Sequence, residues 1–399
     1  MQQVIGGAER VLHEQAVGLA ARGHAVRVLA RATKEQAGDR LLMRGVEEVS
    51  YLVDRRHPIV FCFSSVRNAR RAAVALHRES PVDVIVAHQA LPALGLLFIP
   101  LSSDSAPRWP HLVAVAHSLA HEEFETRTSP QGGVMGQVSY RWQSLARKWI
   151  ERRVLKRASR VLVLSDFMRG RVQQCHGIRT EVIRVIAGGV DTEVFSPGSD
   201  RQAVRTALGL EKDAFVLLTV RNLVPRMGLD ALIQAAAALR KEIPRVQLLI
   251  GGSGPLRSAL ERQIKALGLE GCVRLLGFVP EAALPDYYRA ADLFVLPTVQ
   301  LEGFGLVTVE ALASGTPVFG TRIGATEEIL GKLDPSLLSS GPDAESLAVG
   351  IAGFYRRFTS DPGARARIAE AGRALVLRDF TWSRHCEQLE TVLAEAANV

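Results

Sequence analysis

The sequence predicts an α/β protein built on two doubly wound, largely parallel sheets. Short runs of Val, Ile and Leu that are apolar almost throughout recur along the chain, which is how strands covered on both faces read, and the segments between them carry helical spacing. Length is the second observation: 399 residues exceed one ordinary core of roughly 100 to 200 residues, so two domains are expected. A hydrophobic share of 47% beside 23% charged residues excludes a disordered or fibrous chain.

The opening "MQQVI" is at most a fragment of strand, followed by a glycine turn and the helix "GGAERVLHEQAVGLA", whose stripe Leu12, Ala16, Leu19 and Ala20 is stopped by Gly23. In the usual order of a doubly wound sheet the first strand is central, so its loss would open a gap rather than trim an edge. The first N-terminal strand is therefore expected to be missing or truncated, with the true start upstream or "QQVI" as its remnant. Strands follow at "AVRVLA", "DVIVAH", "HLVAVAH" and "RVLVLS". The alternation breaks at "GGVDTEVFSPGSD", residues 188–200, where glycine, proline and aspartate replace the apolar runs. It restarts at Phe215 with "FVLLTV", "VQLLIG", "CVRLLG" and "DLFVLP". The expected organisation is an N-terminal domain over 1–187, a linker over 188–200, a C-terminal domain over 201–375 and a C-terminal helix within 376–399 that packs back on the N-terminal domain.

Cys62, Cys175, Cys272 and Cys386 are widely spaced and form no CxxC pair, which argues against zinc and against a disulfide framework and for isolated thiols in a reducing cytoplasm. No charged leader with an apolar segment opens the chain, and the run "ALPALGLLFIPL" from Ala90 falls short of the roughly 18 to 20 residues of a membrane span. A net charge of +8 fits an anionic partner or an arginine-rich genome. In "SYRWQSLARKWIERRVLKRASR", Trp142, Leu145, Ala146, Trp149 and Ile150 stand at helical spacing among Arg141, Arg147, Lys148, Arg152, Arg153, Lys156 and Arg157. The favoured reading is a core-packing helix with a solvated cationic face; the alternative is peripheral contact with an anionic membrane on its inner face, which the second basic helix "VRNARRAAVALHR" strengthens. Neither carries the aromatic platform of a single-strand binder, and no nucleic-acid partner is expected.

The stretch "EGFGLVTVE", residues 302 to 310, follows the strand that ends at Pro297 and opens a helix near Gly305. The first amides of a helix, at the positive end of its dipole, form an anion site that glycine lets a phosphate approach. Carboxylates accept hydrogen bonds and suit the hydroxyl pairs of sugars, so Glu302 and Glu310 read as a grip on a nucleotide sugar. The alternatives are a surface glutamate with a helix-capping one, or the paired carboxylates of a glycosidase. His117 ends the strand "HLVAVAH" and His88 ends "DVIVAH", positions where ligands of open α/β sheets gather, although on position alone a lone histidine is more often a packed or solvated one. "GGSGP" from Gly251 is either a tight strand-to-helix turn or a donor contact.

The run "EGFGLVTVEALASGTPVFGT" with "GATEEI" resembles glycosyltransferase family 4 (glycosyl transferases group 1), and the likeness extends through "IGGAER", "VIAGGVDTEVFSPG", "GGSGP", "LGFVP" and "FTWSRH". The resemblance implies the GT-B fold, two Rossmann-like domains facing across a cleft, and a retaining transfer that needs no metal and no cofactor. By position it implies Glu310 on the ribose and Glu302 and His117 near the donor sugar. Backbone groups of Gly303, Phe304, Gly305, Leu306 and Val307 would meet sugar and diphosphate, Gly6 and Gly7 the diphosphate, Gly251 the donor, and Val279 the nucleobase. The pattern departs at "RNLVPRMG": Met227 occupies the lysine position and Arg221 stands one step early, leaving Arg221 or Arg226 to offset the diphosphate charge.

The expected function is thus a retaining hexosyltransferase acting on a UDP- or GDP-linked sugar and a glycan or lipid-linked acceptor, in cell-surface polysaccharide or glycolipid biosynthesis. The rival readings are a nucleotide-sugar epimerase on the same architecture and a non-catalytic member of the fold.

Overall fold

The computed structural model describes residues 6–32, 40–98, 109–128, 133–198 and 200–398. The chain divides into two compact units, one of Met1–Ala187 with Trp382–Val399 and one of Gly188–Thr381.

The first unit runs α1 (Gly7–Ala21), β1 (Val26–Ala32), β2 (Arg40–Met43), β3 (Val46–Leu52), α2 (Pro58–Glu79), β4 (Val84–Ala87), α3 (Ala90–Leu94), β5 (His111–Ala116), α4 (Ala120–Arg127), α5 (Gly133–Arg157), β6 (Arg160–Val163), α6 (Asp166–His176) and β7 (Ile183–Val185). Its strands form a parallel sheet β4-β5-β6-β7 and a sheet β1-β3-β2, in which β2 runs antiparallel to β3. The expected first strand, residues 1–5, lies outside the described residues, and among the described residues no strand joins the two sheets. Apolar packing does: Val26 of β1 and Val84 and Val86 of β4 lie against one buried cluster of Leu19, Val113, Val115, Leu162, Ile186 and Leu389.

The second unit runs α7 (Arg201–Ala207), β8 (Phe215–Val220), α8 (Leu229–Leu239), β9 (Val246–Gly251), α9 (Arg257–Ala266), β10 (Val273–Gly277), α10 (Leu284–Ala290), β11 (Leu293–Leu296), α11 (Leu306–Ala313), β12 (Val318–Thr321), α12 (Ala325–Leu330), β13 (Leu338–Ser339), α13 (Ala344–Ser360) and α14 (Ala364–Asp379). All six strands are parallel, in the order β10-β9-β8-β11-β12-β13. Counted within the unit this is 3-2-1-4-5-6, the dinucleotide-fold order, and its direction reverses between β8 and β11. Val216, Leu217, Leu218, Leu293, Phe294, Val295 and Leu296 are all 0% exposed, so both faces of these strands are covered and their sequences read as unbroken apolar runs.

The last helix, α15 (Trp382–Ala397), belongs to the first unit. It packs along α1, where a Cβ added at Gly18 would stand 2.3 Å from Cys386 Sγ. Residues 188–200, expected as a linker, are integrated in the second unit: the Val190 amide donates to Phe380 O at 2.9 Å and Val190 bridges Thr381. Residues 376–381, expected with the last helix, close the second unit instead.

The core-packing reading of α5 is corrected. Trp142, Leu145 and Trp149 are exposed, whereas Ser144, Glu151, Val154 and Leu155 are buried. Positions 144, 151 and 155 recur on the opposite side of the helix from 142, 145 and 149, and the packed side is chosen by the polar anchor Glu151 rather than by the tryptophans. Trp149 is instead covered by the Arg153 guanidinium, 5.2 Å from its ring centroid.

Candidate functional site

Arg221 directly follows β8 and Thr298 closes the turn after β11, so both stand at carboxyl ends of strands on either side of the point where the strand order reverses. The Arg221 Nη2 donates to Thr298 Oγ1 at 2.8 Å and to Met227 Sδ at 3.0 Å. It also pairs with the Glu302 carboxylate. Thr298 Oγ1 in turn donates to Glu302 Oε2 at 2.9 Å. The Arg221 and Glu302 side chains are only 4% and 9% exposed, so this is a buried ion pair, tolerable because the carboxylate oxygen has two donors.

Gly303, Phe304 and Gly305 carry the chain from this pair into α11. Gly305, at φ 82°, caps the helix in the left-handed region, where a Cβ would press to 3.0 Å from Thr308 Oγ1 and 3.4 Å from Glu302 Oε1. The Thr308 amide returns to Gly305 O at 2.8 Å, so the amides of Leu306 and Val307 precede the first intrahelical bond. Phe304 is 5% exposed, its ring 5.8 Å from that of Phe380; its side chain is core and its backbone is what faces the turn. On the next turn of α11, Glu310 accepts the Tyr288 hydroxyl at 2.8 Å. Tyr288 is fully buried, and burial, then the Glu310 charge, pushes its phenol well above the ordinary range, which keeps it a donor.

Close contacts knit the neighbouring loops to this turn. The Val299 amide donates to Arg226 O at 2.9 Å, while the Arg226 Nη1 donates to Leu301 O at 2.8 Å. Leu301 itself sits at φ 56°, a left-handed conformation costly for a branched side chain, and the Arg226 bond steadies it just before Glu302. A Cβ at Gly252 would stand 1.8 Å from Arg221 O, and one at Gly324 would stand 2.1 Å from Glu302 O. The second glycine of "GGSGP" is thus required by backbone contact alone. Gly251 adjoins Val279, whose Cγ2 would lie 3.1 Å from a Cβ at that glycine, and Val279 is 8% exposed.

In the first unit, His117 and His88 end neighbouring parallel strands, and His88 Nδ1 lies 3.0 Å from His117 Nε2. The His117 Nδ1 is buried without a hydrogen-bond partner. Burial, with His385 nearby, pushes His117 down to about 4, and burial, then His117, holds His88 well below the usual imidazole range. Both rings are neutral at pH 7. His385, on α15, lies 2.6 Å from Ala187 O through Nδ1, which must therefore donate, leaving Nε2 to accept from Gln15 at 2.9 Å. Gly6 and Gly7 stand exposed at the start of α1.

The structure therefore gathers Arg221, Arg226, Gly251, Val279, Gly303, Phe304, Gly305, Leu306, Val307, Glu302 and Glu310 at the carboxyl end of the second unit's sheet, and places His117, Gly6 and Gly7 in the first unit. Sequence reasoning missed Thr298, Tyr288 and His385. Thr298 directly follows the strand that ends at Pro297, the one local signal that could have found it.

Two family models cover the chain: "Glycosyltransferase Family 4" over residues 5–194 and "Glycosyl transferases group 1" over 200–375. The chain is 30% identical to the D-inositol 3-phosphate glycosyltransferase of Kineococcus radiotolerans, over 80% of this chain and 73% of the relative. It is 29% identical to the protein of that name from Saccharomonospora viridis, over 98% and 89%. The GDP-mannose-dependent alpha-(1-6)-phosphatidylinositol monomannoside mannosyltransferase of Mycolicibacterium smegmatis is 30% identical over 61% of this chain and 64% of its own length. Among solved structures, the sucrose-phosphate synthase from Thermosynechococcus elongatus superposes with a TM-score of 0.76 at 23% identity, covering 98% and 93%. HepE of Anabaena in complex with UDP and glucose does so at 0.75 and 22%, covering 98% and 96%.

Proposed function

Because the chain belongs to glycosyltransferase family 4, with the GT-B fold, we propose that it moves a hexose, with retention of configuration, from a nucleotide diphosphate sugar to a glycan or lipid-linked acceptor. The observation that carries this reading is the Arg221–Thr298–Glu302 cluster beside the start of α11, at the point where the strand order reverses.

In this proposal the diphosphate lies against the amides of Leu306 and Val307, with Gly303, Phe304 and Gly305 leading the backbone to it. Arg221 shares its guanidinium between Glu302 and the departing diphosphate, offsetting charge without a metal or cofactor. Glu310, its oxygen already aligned by Tyr288, takes the ribose hydroxyls, and Val279 and Gly251 border the nucleobase. Glu302 and neutral His117 act at the donor sugar, the imidazole as a hydrogen-bond partner rather than a cation, and Gly6 and Gly7 approach the diphosphate. Arg226 positions the Leu301–Glu302 turn rather than touching phosphate. UDP- and GDP-linked donors are favoured, because the similar mannosyltransferase of Mycolicibacterium smegmatis is GDP-mannose-dependent and HepE is seen with UDP and glucose.

A peripheral membrane site suits a lipid-linked acceptor. Val134, Met135, Trp142, Leu145 and Trp149 are exposed on α5 among cations, a pattern that fits an anionic interface at the inner face of a cytoplasmic membrane. Among the described residues no helix is long and apolar enough to span one.

Incubation of the protein with labelled UDP-, GDP- and ADP-sugars tests the reading. Net transfer to an added phosphoinositide or glycan acceptor, or slow donor hydrolysis in its absence, is expected; epimer formation without transfer, or no donor binding by calorimetry, overturns it. The second outcome would favour the non-catalytic reading that Met227, a buried thioether at the lysine position, keeps in view.

A further inference from the structure

We propose that the first unit holds one divalent transition-metal ion, zinc by its ligand chemistry, between α4, α5 and α6, through His121, Glu151 and His176. A ring nitrogen of each histidine and a carboxylate oxygen of Glu151 all lie within 4.8 Å of one another. The three side chains are 6%, 7% and 0% exposed, so the group is enclosed by the three helices rather than displayed on the surface.

His121 Nδ1 stands 2.7 Å from Glu151 Oε2, and His176 Nε2 stands 3.7 Å from the same oxygen. The second separation is too long for a hydrogen bond and close to the roughly 3.4 Å between two ligands bound at about 2.1 Å around a tetrahedral ion. Neither ring nitrogen of His176 has a hydrogen-bond partner although the side chain is fully buried. A buried nitrogen left in that state is costly, and a cation bound at Nε2, the nitrogen facing Glu151, would give it a partner. The Glu151 carboxylate is already aimed: its Oε1 accepts the Ala120 amide at 2.5 Å, the kind of supporting bond that orients a ligating carboxylate.

Two imidazoles and a carboxylate select a transition metal over Mg2+ or Ca2+, which take oxygen ligands. Cys175 and Glu122 form a separate group with His121, and Glu122 is already paired with Arg171, so the fourth position of the proposed ion falls to water. Widely spaced cysteines argue against zinc in the sequence; the geometry assigns the work to histidines and a glutamate contributed by three helices. The ion would cross-link the helix that begins just past His117 to its two neighbours, a structural role independent of the donor chemistry.

The test uses the full chain, stripped with chelator and titrated with Co2+ and Zn2+. One equivalent of Co2+ should develop the visible absorption of a tetrahedral site, one equivalent of Zn2+ should displace it and raise the thermal midpoint, and Mg2+ should do neither. His176→Gln and Glu151→Gln should abolish the absorption and weaken Zn2+ on the order of 100-fold or more. Absence of stoichiometric binding in the wild-type chain, or binding unchanged in H176Q, overturns the proposal. Should the variants fail to fold, X-ray absorption of the zinc-loaded wild-type protein decides: two imidazoles in the coordination shell support the site, and none refutes it.

Discussion

The two sets of strand ends satisfy their polar groups in different ways. In the second unit Arg221 already holds Glu302, Thr298 and Met227, and Glu310 already holds Tyr288. In the first unit, His88 and His117 hold each other while His117 Nδ1 has no partner. A donor arriving at the second unit must exchange existing bonds, so its binding surface is formed in advance; a ligand arriving at the histidines would gain a bond the protein lacks. Charge is stored as pairs in one place and removed by burial in the other.

The largest effect should come from breaking the buried ion pair. Arg221→Met is expected to lower transfer about a thousandfold, the loss associated with removing one electrostatic stabiliser of a transition state, and to lower the thermal midpoint because Glu302 is left buried and unpaired. Adding Glu302→Gln should restore much of the stability and none of the transfer. Transfer near wild-type in R221M would mean that the pair is structural only.

Glu310→Gln should raise the KM for donor roughly 10- to 100-fold, as expected for weakening hydrogen bonds to a charged group, with Tyr288→Phe following in the same direction and by less. A donor titration by calorimetry checks both. His117→Asn should sharpen the contrast between the regions: about a tenfold fall in kcat, for one neutral hydrogen bond, with donor affinity held by the second unit nearly unchanged. Equal losses of affinity in H117N and E310Q would erase the contrast.

Met227→Lys sets a second cation beside Arg221 with one carboxylate to share. The expected cost is about 1 to 3 kcal/mol in denaturant unfolding, without a rise in transfer.

The smallest effect is on pH. His117 is pushed from 6.5 down to about 4 in the folded chain, so between those values the unfolded chain binds more protons and acid weakens the fold. Its contribution is complete above about pH 6.5 and is lost as pH falls through about 4. Denaturation midpoints across this window should fall less steeply for H117N than for wild type.

Much of this arrangement was legible in order along the chain. The strands of the second unit announced themselves because both faces are covered, and Glu302 and Glu310 because a turn and its helix are contiguous. What escaped were partners brought together by folding: Arg221 meets Thr298 across 77 positions, and Gln15 meets His385 across 370. Helix α5 misled for another reason. Its tryptophans form the more hydrophobic stripe, yet one carboxylate, Glu151, capping α4 and facing His121, outweighs them in choosing the buried side.

The contacts of Gly252 with Arg221 and of Gly324 with Glu302, together with the Val299 to Arg226 bond, interlock the turns after four neighbouring strands of the sheet, β9, β8, β11 and β12, like adjoining tiles. Such turns cannot be swapped singly. Retuning this protein toward another base or hexose should succeed by exchanging side chains on an unchanged frame, whereas grafting one turn from a relative would require transplanting its neighbours as well.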